Sequence, residues 1–180
     1  GPSQDSLAAF QPIFLTLLGM PHGPRQLGSS GHNNFATSGI RQVSHADLLD
    51  MLADPVEKAC APVLNDFIPG LNLPGRDALQ LRDLSIAEAV NTALPIMLSL
   101  LTGLTASRPS VLFFDNCRGL SAASWTLAHT AALQIPTVMV VFAVRWSWLA
   151  HSKLILSIQD DCRCQLIRVP PLRQHESEAL

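Results

Sequence analysis

One short apolar run, Val111 to Phe114, constrains the fold of this chain more than any other feature, because an acidic residue follows it at once. Four apolar residues that end in a turn-forming segment are typical of a buried strand in a parallel sheet. In open α/β sheets, ligands bind in the crevice beyond the carboxyl ends of such strands. The pattern therefore predicts that Asp115 lies at a functional edge of a parallel sheet.

The residues after this run continue the alternation of helix and strand patterns. A helix is predicted from Ser121 to Leu133, with Ser121 as its N-cap. A second buried strand, rich in β-branched residues, is predicted from Thr137 to Val144, and a third strand from Gln165 to Val169. Strand, helix, strand, linker and strand in this order indicate an α/β fold with a parallel sheet and crossover helices.

Helices are predicted before the first strand. Apolar residues at helical spacing indicate one from Leu7 to Gly19, and Ser44 is expected to cap a second. Ser85 and Glu88 have the spacing of a capping box, and Pro95 predicts that the helix after them is kinked or divided. The apolar face expected of that helix consists of Val90, Leu94, Met97, Leu101 and Leu104.

The composition limits the classes of protein to which the chain belongs. Hydrophobic residues make up 48% of the chain and charged residues only 14%, which favours a globular protein. A net charge of −2 gives no electrostatic attraction to nucleic acid or to an anionic membrane. The longest apolar run, Val138 to Val144, is too short to span a bilayer, and four sparse cysteines suit a reducing compartment. We therefore expect a cytoplasmic chain that binds neither nucleic acid nor membrane.

Two segments imitate motifs without meeting their requirements. Residues 21–39 have the composition of a flexible surface insertion, and Gly23 to Ser30 within it has the spacing of a phosphate-binding loop. Ser29 stands where that motif needs lysine, and no strand precedes it, so phosphate binding is not predicted. Cys162-Arg163-Cys164 lacks the second pair of ligands that a tetrahedral zinc site requires.

Five further segments share their order with a known family. They are Ala8 to Gly19, Pro62 to Asn65, Asp115 to Trp125, Ala143 to Trp146, and Val169 to Glu176. This series resembles the ATPase module of the signal-transduction ATPases with numerous domains, in particular the module that follows the cyclase domains of soluble adenylyl cyclase-like proteins. The resemblance implies an incomplete P-loop NTPase domain over residues 1–172, a three-layer α/β/α sandwich, and the start of a truncated helical lid region over residues 173–180.

The resemblance also implies roles for three residues. Asp115 occupies the first acidic position of the Walker B motif, which directs Mg²⁺ against the phosphates of ATP. Asn116 replaces the second acid and, as an amide, cannot accept a proton from water, so weak or absent hydrolysis is expected. Arg145 resembles a phosphate sensor. The family's Walker A strand and loop are missing from the chain and are expected to precede Gly1, so Mg²⁺ and ATP should bind only together with that sequence.

The implied function is that of an ATP-binding regulatory module in a larger signalling protein, with the remaining domains of that protein as partners. A scaffolding module that binds no nucleotide is an alternative. A further alternative is a serine hydrolase of the α/β-hydrolase type, because Gly119 to Ala123 imitates a nucleophile elbow. Its nucleophile is Ser121, and Asp160 or Asp161 and then His175 follow in the required chain order.

Overall fold

The computed structural model describes residues 7–20, 43–75, 79–115, 117–145 and 163–170. The chain divides into two compact units, Gly1–Val144 and Arg145–Leu180. The described helices, all in the first unit, are α1 (Gln11–Leu17), α2 (His45–Asp50), α3 (Pro55–Cys60), α4 (Leu79–Arg82), α5 (Ile86–Thr105) and α6 (Ala122–Gln134). The described strands are β1 (Ser110–Phe114) and β2 (Val138–Phe142), and 3₁₀ segments cover Ala8–Phe10, Ala61–Asp66 and Cys117–Gly119.

The first unit has the predicted α/β character. Strands β1 and β2 pair in parallel, with Ser110 opposite Val138 and Phe114 opposite Phe142, and helix α6 connects them. The two strands predicted around Asp115 are therefore confirmed. The third is wrong: residues 164–170 contain no strand, and Val169 is 84% exposed. A strand needs a neighbour for its backbone groups, and no described residue pairs with this segment.

The sheet is buried on one face rather than on both, which corrects the prediction of fully buried strands. Leu112 and Phe114 are 4% and 5% exposed, whereas Val111 and Phe113, which alternate with them, are 58% and 59% exposed. Met139, opposite Val111 in β2, is also 58% exposed. Successive side chains of a strand point to opposite faces, so one face joins the core and the other remains open.

Four aromatic side chains join the buried face of the sheet to the helices. The Phe114 ring lies 5.2 Å from that of Phe10 and 5.5 Å from that of Phe142. The Trp125 ring, on α6, stacks on Phe142 at 4.5 Å. These centroid separations are those of favourable aromatic pairs. Helix α6 and the 3₁₀ segment before α1 are thereby fixed against the ends of the strands.

The capping box predicted before α5 is confirmed. Glu88 accepts hydrogen bonds from the backbone N–H of Ser85 at 2.8 Å and from its hydroxyl at 2.6 Å, while the N–H of Glu88 donates to Ser85 Oγ. Ser44 caps α2 as predicted, with Asp47 as its partner. Each box satisfies two donors that the first turn of a helix otherwise leaves unpaired.

Stability should depend on pH through Glu88. The Ser85 hydroxyl, and then the Ser85 backbone N–H, lower the pKa of this carboxyl from its ordinary 4.5. The stabilisation that ionised Glu88 provides is therefore fully present above the pKa that Glu88 has in the unfolded chain. It is lost as the pH falls through the lower pKa that Glu88 has in the folded chain. We expect the melting temperature of wild type to be higher than that of Glu88→Gln. This difference should be largest at neutral pH and should shrink below pH 4.5. An undiminished difference at about pH 3, measured by circular dichroism, would contradict this.

Helix α5 buries a different face from the one predicted. Met97 and Leu101 are buried as expected, but Val90, Leu94 and Leu104 are only half-buried. The buried residues are Ala89, Ala93, Ile96, Met97, Leu100, Leu101 and Thr105. Ala89 and Ala93 belong to the buried face. Because alanine is small and only weakly hydrophobic, these two positions do not stand out in the pattern of apolar residues from which the face was predicted.

Pro95 does not divide α5, which runs unbroken from Ile86 to Thr105. Of the two predicted alternatives, the divided helix is therefore wrong, and a kink at Pro95 stays a prediction. Proline has no backbone N–H, so the carbonyl of Asn91, four residues before Pro95, lacks its usual hydrogen-bond donor within the helix. Both residues are exposed, so water can satisfy that carbonyl.

By length and composition alone, α5 is also apolar enough to cross a membrane, the one such helix found among the described residues. Polar residues such as Glu88 and Asn91 interrupt its sequence, so no long uninterrupted apolar run marks it. Seven of its 20 residues are buried within the fold. The core helix of a globular protein passes the same test, so this property is weak support for a membrane span.

Candidate functional site

The candidate site lies at the carboxyl ends of β1 and β2. Asp115 directly follows β1, and its side chain is exposed. Phe114 and Phe142, the last residues of the two strands, lie opposite each other in the parallel register. Asp115 is thus at the edge of the sheet where ligands of α/β folds bind.

The backbone on both sides of Asp115 is tied to the end of β2 through one residue. The Ala143 N–H donates to the Phe114 carbonyl at 2.9 Å, and the Ala143 carbonyl accepts from the Cys117 N–H at 3.3 Å. These two hydrogen bonds bracket Asp115 in sequence. The main chain at the site is therefore held, while the Asp115 carboxylate remains open to solvent.

Cys117 strengthens this turn with its side chain. Its thiol, 1% exposed, donates to the Phe114 carbonyl with Sγ and O 3.1 Å apart. Burial raises the pKa of the Cys117 thiol from 9.0 to about 11. The thiol therefore stays protonated at neutral pH and keeps its role as a donor.

The reactivity of the cysteines should differ accordingly. Cys117 is buried and protonated, whereas Cys164 is exposed, and the thiolate is the form that reacts with alkylating reagents. In native protein at neutral pH we expect Cys164→Ala to remove a fast phase of labelling by iodoacetamide, and Cys117→Ala to leave that phase unchanged. Mass spectrometry of the labelled peptides checks this. Labelling of Cys117 as fast as that of Cys164 would show that the turn opens.

Ser121 and Ser124 form the start of α6. Ser121 has φ −68° and ψ 160°, and its hydroxyl accepts a hydrogen bond from the Ser124 N–H at 3.1 Å. Ser121 Oγ also donates to Ser124 Oγ, which is buried. This is an unstrained N-cap, whereas the nucleophile of a hydrolase elbow sits on a strained turn directly after a strand. The geometry of Ser121 therefore favours a capping role over nucleophilic chemistry.

The other predicted site residues belong to the second unit or lie outside the described residues. Arg145 is exposed and begins the second unit. Asn116 lies outside the described residues. So do the insertion at residues 21–39, Cys162, the hydrolase partners Asp160, Asp161 and His175, Trp146, and the lid region at residues 173–180.

Asp115 offers an exposed carboxylate as a ligand for a metal ion. Within the described ranges, no group of three or more His, Cys, Asp or Glu side chains is placed to hold a metal ion. Mg²⁺ does not require such a cage, because it is commonly held by one or two carboxylates together with phosphate oxygens and water. The exposed oxygens of Asp115 fit that chemistry as one ligand.

Sequence reasoning missed Ala143, the residue that fixes the Asp115 turn. It acts through its N–H and C=O, which any residue except proline provides, so no side-chain signal marks it. Comparison of the chain with protein-family models, with curated proteins and with solved structures finds no match.

Proposed function

We propose that this chain is part of an ATP-binding regulatory module of a larger signalling protein, in which Asp115 contacts the Mg²⁺ that accompanies ATP. The observation that carries the proposal is the position of Asp115, exposed at the carboxyl end of β1 in a parallel β1–α6–β2 unit. The proposal includes a P-loop NTPase fold whose Walker A loop is supplied by sequence before Gly1. It also includes a cytoplasmic location, with the remaining domains as partners.

The proposed chemistry is binding of nucleotide with little hydrolysis. A bound Mg²⁺ would neutralise charge on the phosphates. Asp115 would supply one carboxylate oxygen, from a backbone held by Ala143 on both sides. Asn116 occupies the place of the catalytic acid, and its amide cannot take a proton from an attacking water. Arg145 is proposed as a phosphate-sensing residue from its sequence position alone.

Calorimetric titration of the full-length protein with ATP tests this function. We expect saturable binding in the presence of Mg²⁺ and binding at least about tenfold weaker in EDTA, because one carboxylate reaches the phosphates only through the metal. No binding at millimolar ATP would contradict the proposal and favour the scaffolding alternative.

The hydrolytic part of the proposal has its own test. An Asn116→Asp variant restores the missing carboxylate, so we expect its ATP turnover to exceed that of wild type by roughly tenfold or more, in line with the usual contribution of an acid–base group. Release of phosphate measures this directly. Equal turnover of the two proteins would show that Asn116 does not limit the reaction.

A further inference from the structure

The open face of the β1–β2 sheet presents a contiguous apolar patch. Val111 lies opposite Met139, and Phe113 lies opposite Val141, so these four side chains share one face of the two-stranded sheet. Val111, Phe113 and Met139 are each more than half exposed. Parallel sheets in α/β proteins are normally covered on both faces, so this exposure calls for a physical explanation.

The outer edge of β1 adds a second feature to the same place. Ser110 donates to the Thr137 carbonyl and the Phe114 carbonyl accepts from Ala143, so alternate residues of β1 face β2. The N–H and C=O groups of Val111 and Phe113 therefore point away from β2. Among the described residues no third strand pairs with this edge. Unpaired backbone groups on an edge strand are a template for a further strand.

We infer that the β1 edge binds an extended segment of a partner polypeptide, which adds to the sheet as a third strand. Its backbone would pair with Val111 and Phe113, and apolar side chains at alternate positions would extend the patch. Such strand addition takes its affinity from main-chain hydrogen bonds and its specificity from alternate side chains. Arg108, exposed two residues before β1, favours an acidic residue at the neighbouring end of the segment.

A second copy of the chain fits this edge less well than a single extended segment. β1 has five residues, so it is only about 17 Å long. Pairing two such edges would bury an area on the order of a few hundred Å². A stable interface between two folded proteins needs roughly 1,200 Å² or more. One added strand, by contrast, can pair with the whole length of this edge and continue its apolar face.

The probe for this inference is the capped peptide Glu-Val-Thr-Val-Thr-Val, added to the isotope-labelled full-length protein. At saturation we expect hydrogen exchange of the Val111 and Phe113 amides to slow about threefold to tenfold, the effect of one added hydrogen bond each. The Leu112 and Phe114 amides already face β2 and should change little. A peptide N-methylated at alternate residues is the control, because it lacks the donors that pair.

Two pairs of variants sharpen the test. Val111→Pro removes an outward N–H and is tolerated on an edge, so it should weaken peptide binding at least about threefold. Val111→Thr keeps that N–H and should bind within about twofold of wild type. Arg108→Glu should weaken binding about twofold to fivefold, and Arg108→Lys should not.

Three results would overturn the inference. The first is unchanged exchange of Val111 and Phe113 with peptide present. The second is equal binding of the N-methylated peptide, which would indicate non-specific apolar contact. The third is slow exchange of both amides before any peptide is added. In that case the edge is already covered. If dilution reduces the protection of the two amides, a second copy covers the edge; if dilution has no effect, the chain itself covers it.

Discussion

Replacement of Asp115 by asparagine is expected to weaken binding of Mg²⁺–ATP to the full-length protein about tenfold, or about 1.4 kcal/mol. The substitution removes one negative charge and leaves the shape of the side chain nearly unchanged. Mg²⁺ prefers charged oxygen ligands, so the amide is a poorer ligand. Asp115 is exposed, and surface substitutions of this kind usually change the free energy of unfolding by no more than about 0.5 kcal/mol.

Asp50→Asn is the matched control, because Asp50 is an exposed acid at the end of α2, far along the chain from the sheet edge. Calorimetry should give wild-type affinity for this variant. Equal affinities for wild type, Asp115→Asn and Asp50→Asn would show that Asp115 does not contribute to nucleotide binding. A loss of affinity in both variants would indicate a general effect of charge.

The largest effect on stability is expected from Phe114→Ala, at about 3–5 kcal/mol. Phe114 is 5% exposed and its ring packs between those of Phe10 and Phe142. Truncation removes two aromatic contacts and leaves a cavity between the sheet and the 3₁₀ segment before α1. The midpoint of urea unfolding of the variant, followed by tryptophan fluorescence, measures the loss.

Phe113→Ala controls for the loss of an aromatic residue from the same strand. Phe113 is 59% exposed on the open face of the sheet, so its truncation should cost less than about 1 kcal/mol. A loss comparable to that of Phe114→Ala would mean that the open face is covered in solution. A small loss for Phe114→Ala would contradict the packing of the aromatic cluster.

Local signals in the sequence were sufficient for several elements of the fold. The Ser85–Glu88 spacing identified a capping box, and the structure confirms both of its reciprocal hydrogen bonds. The apolar runs around Asp115 identified β1 and β2, because such short runs with flanking turn residues suit strands better than helices. The α/β class followed from the order of these elements.

Features set by tertiary context were not predictable. A run of four apolar residues is the same whether one or both faces of a strand are buried, so the exposure of Val111 and Phe113 had no sequence signal. The shifted face of α5 depends on Ala89 and Ala93, which pack well because they are small. At the site, the position of Asp115 could be predicted, but the backbone hydrogen bonds of Ala143 could not.

The most direct test of the account measures whether a metal bound with ATP lies beside Asp115. Mn²⁺ can replace Mg²⁺, and its unpaired electrons broaden the signals of nearby nuclei. In the full-length protein with ATP, we expect Mn²⁺ to broaden the amide signals of Asp115 and Cys117 strongly, and Asp115→Asn to reduce that broadening. If ATP binds and these two signals stay sharp, the metal lies elsewhere and the proposed role of Asp115 is wrong.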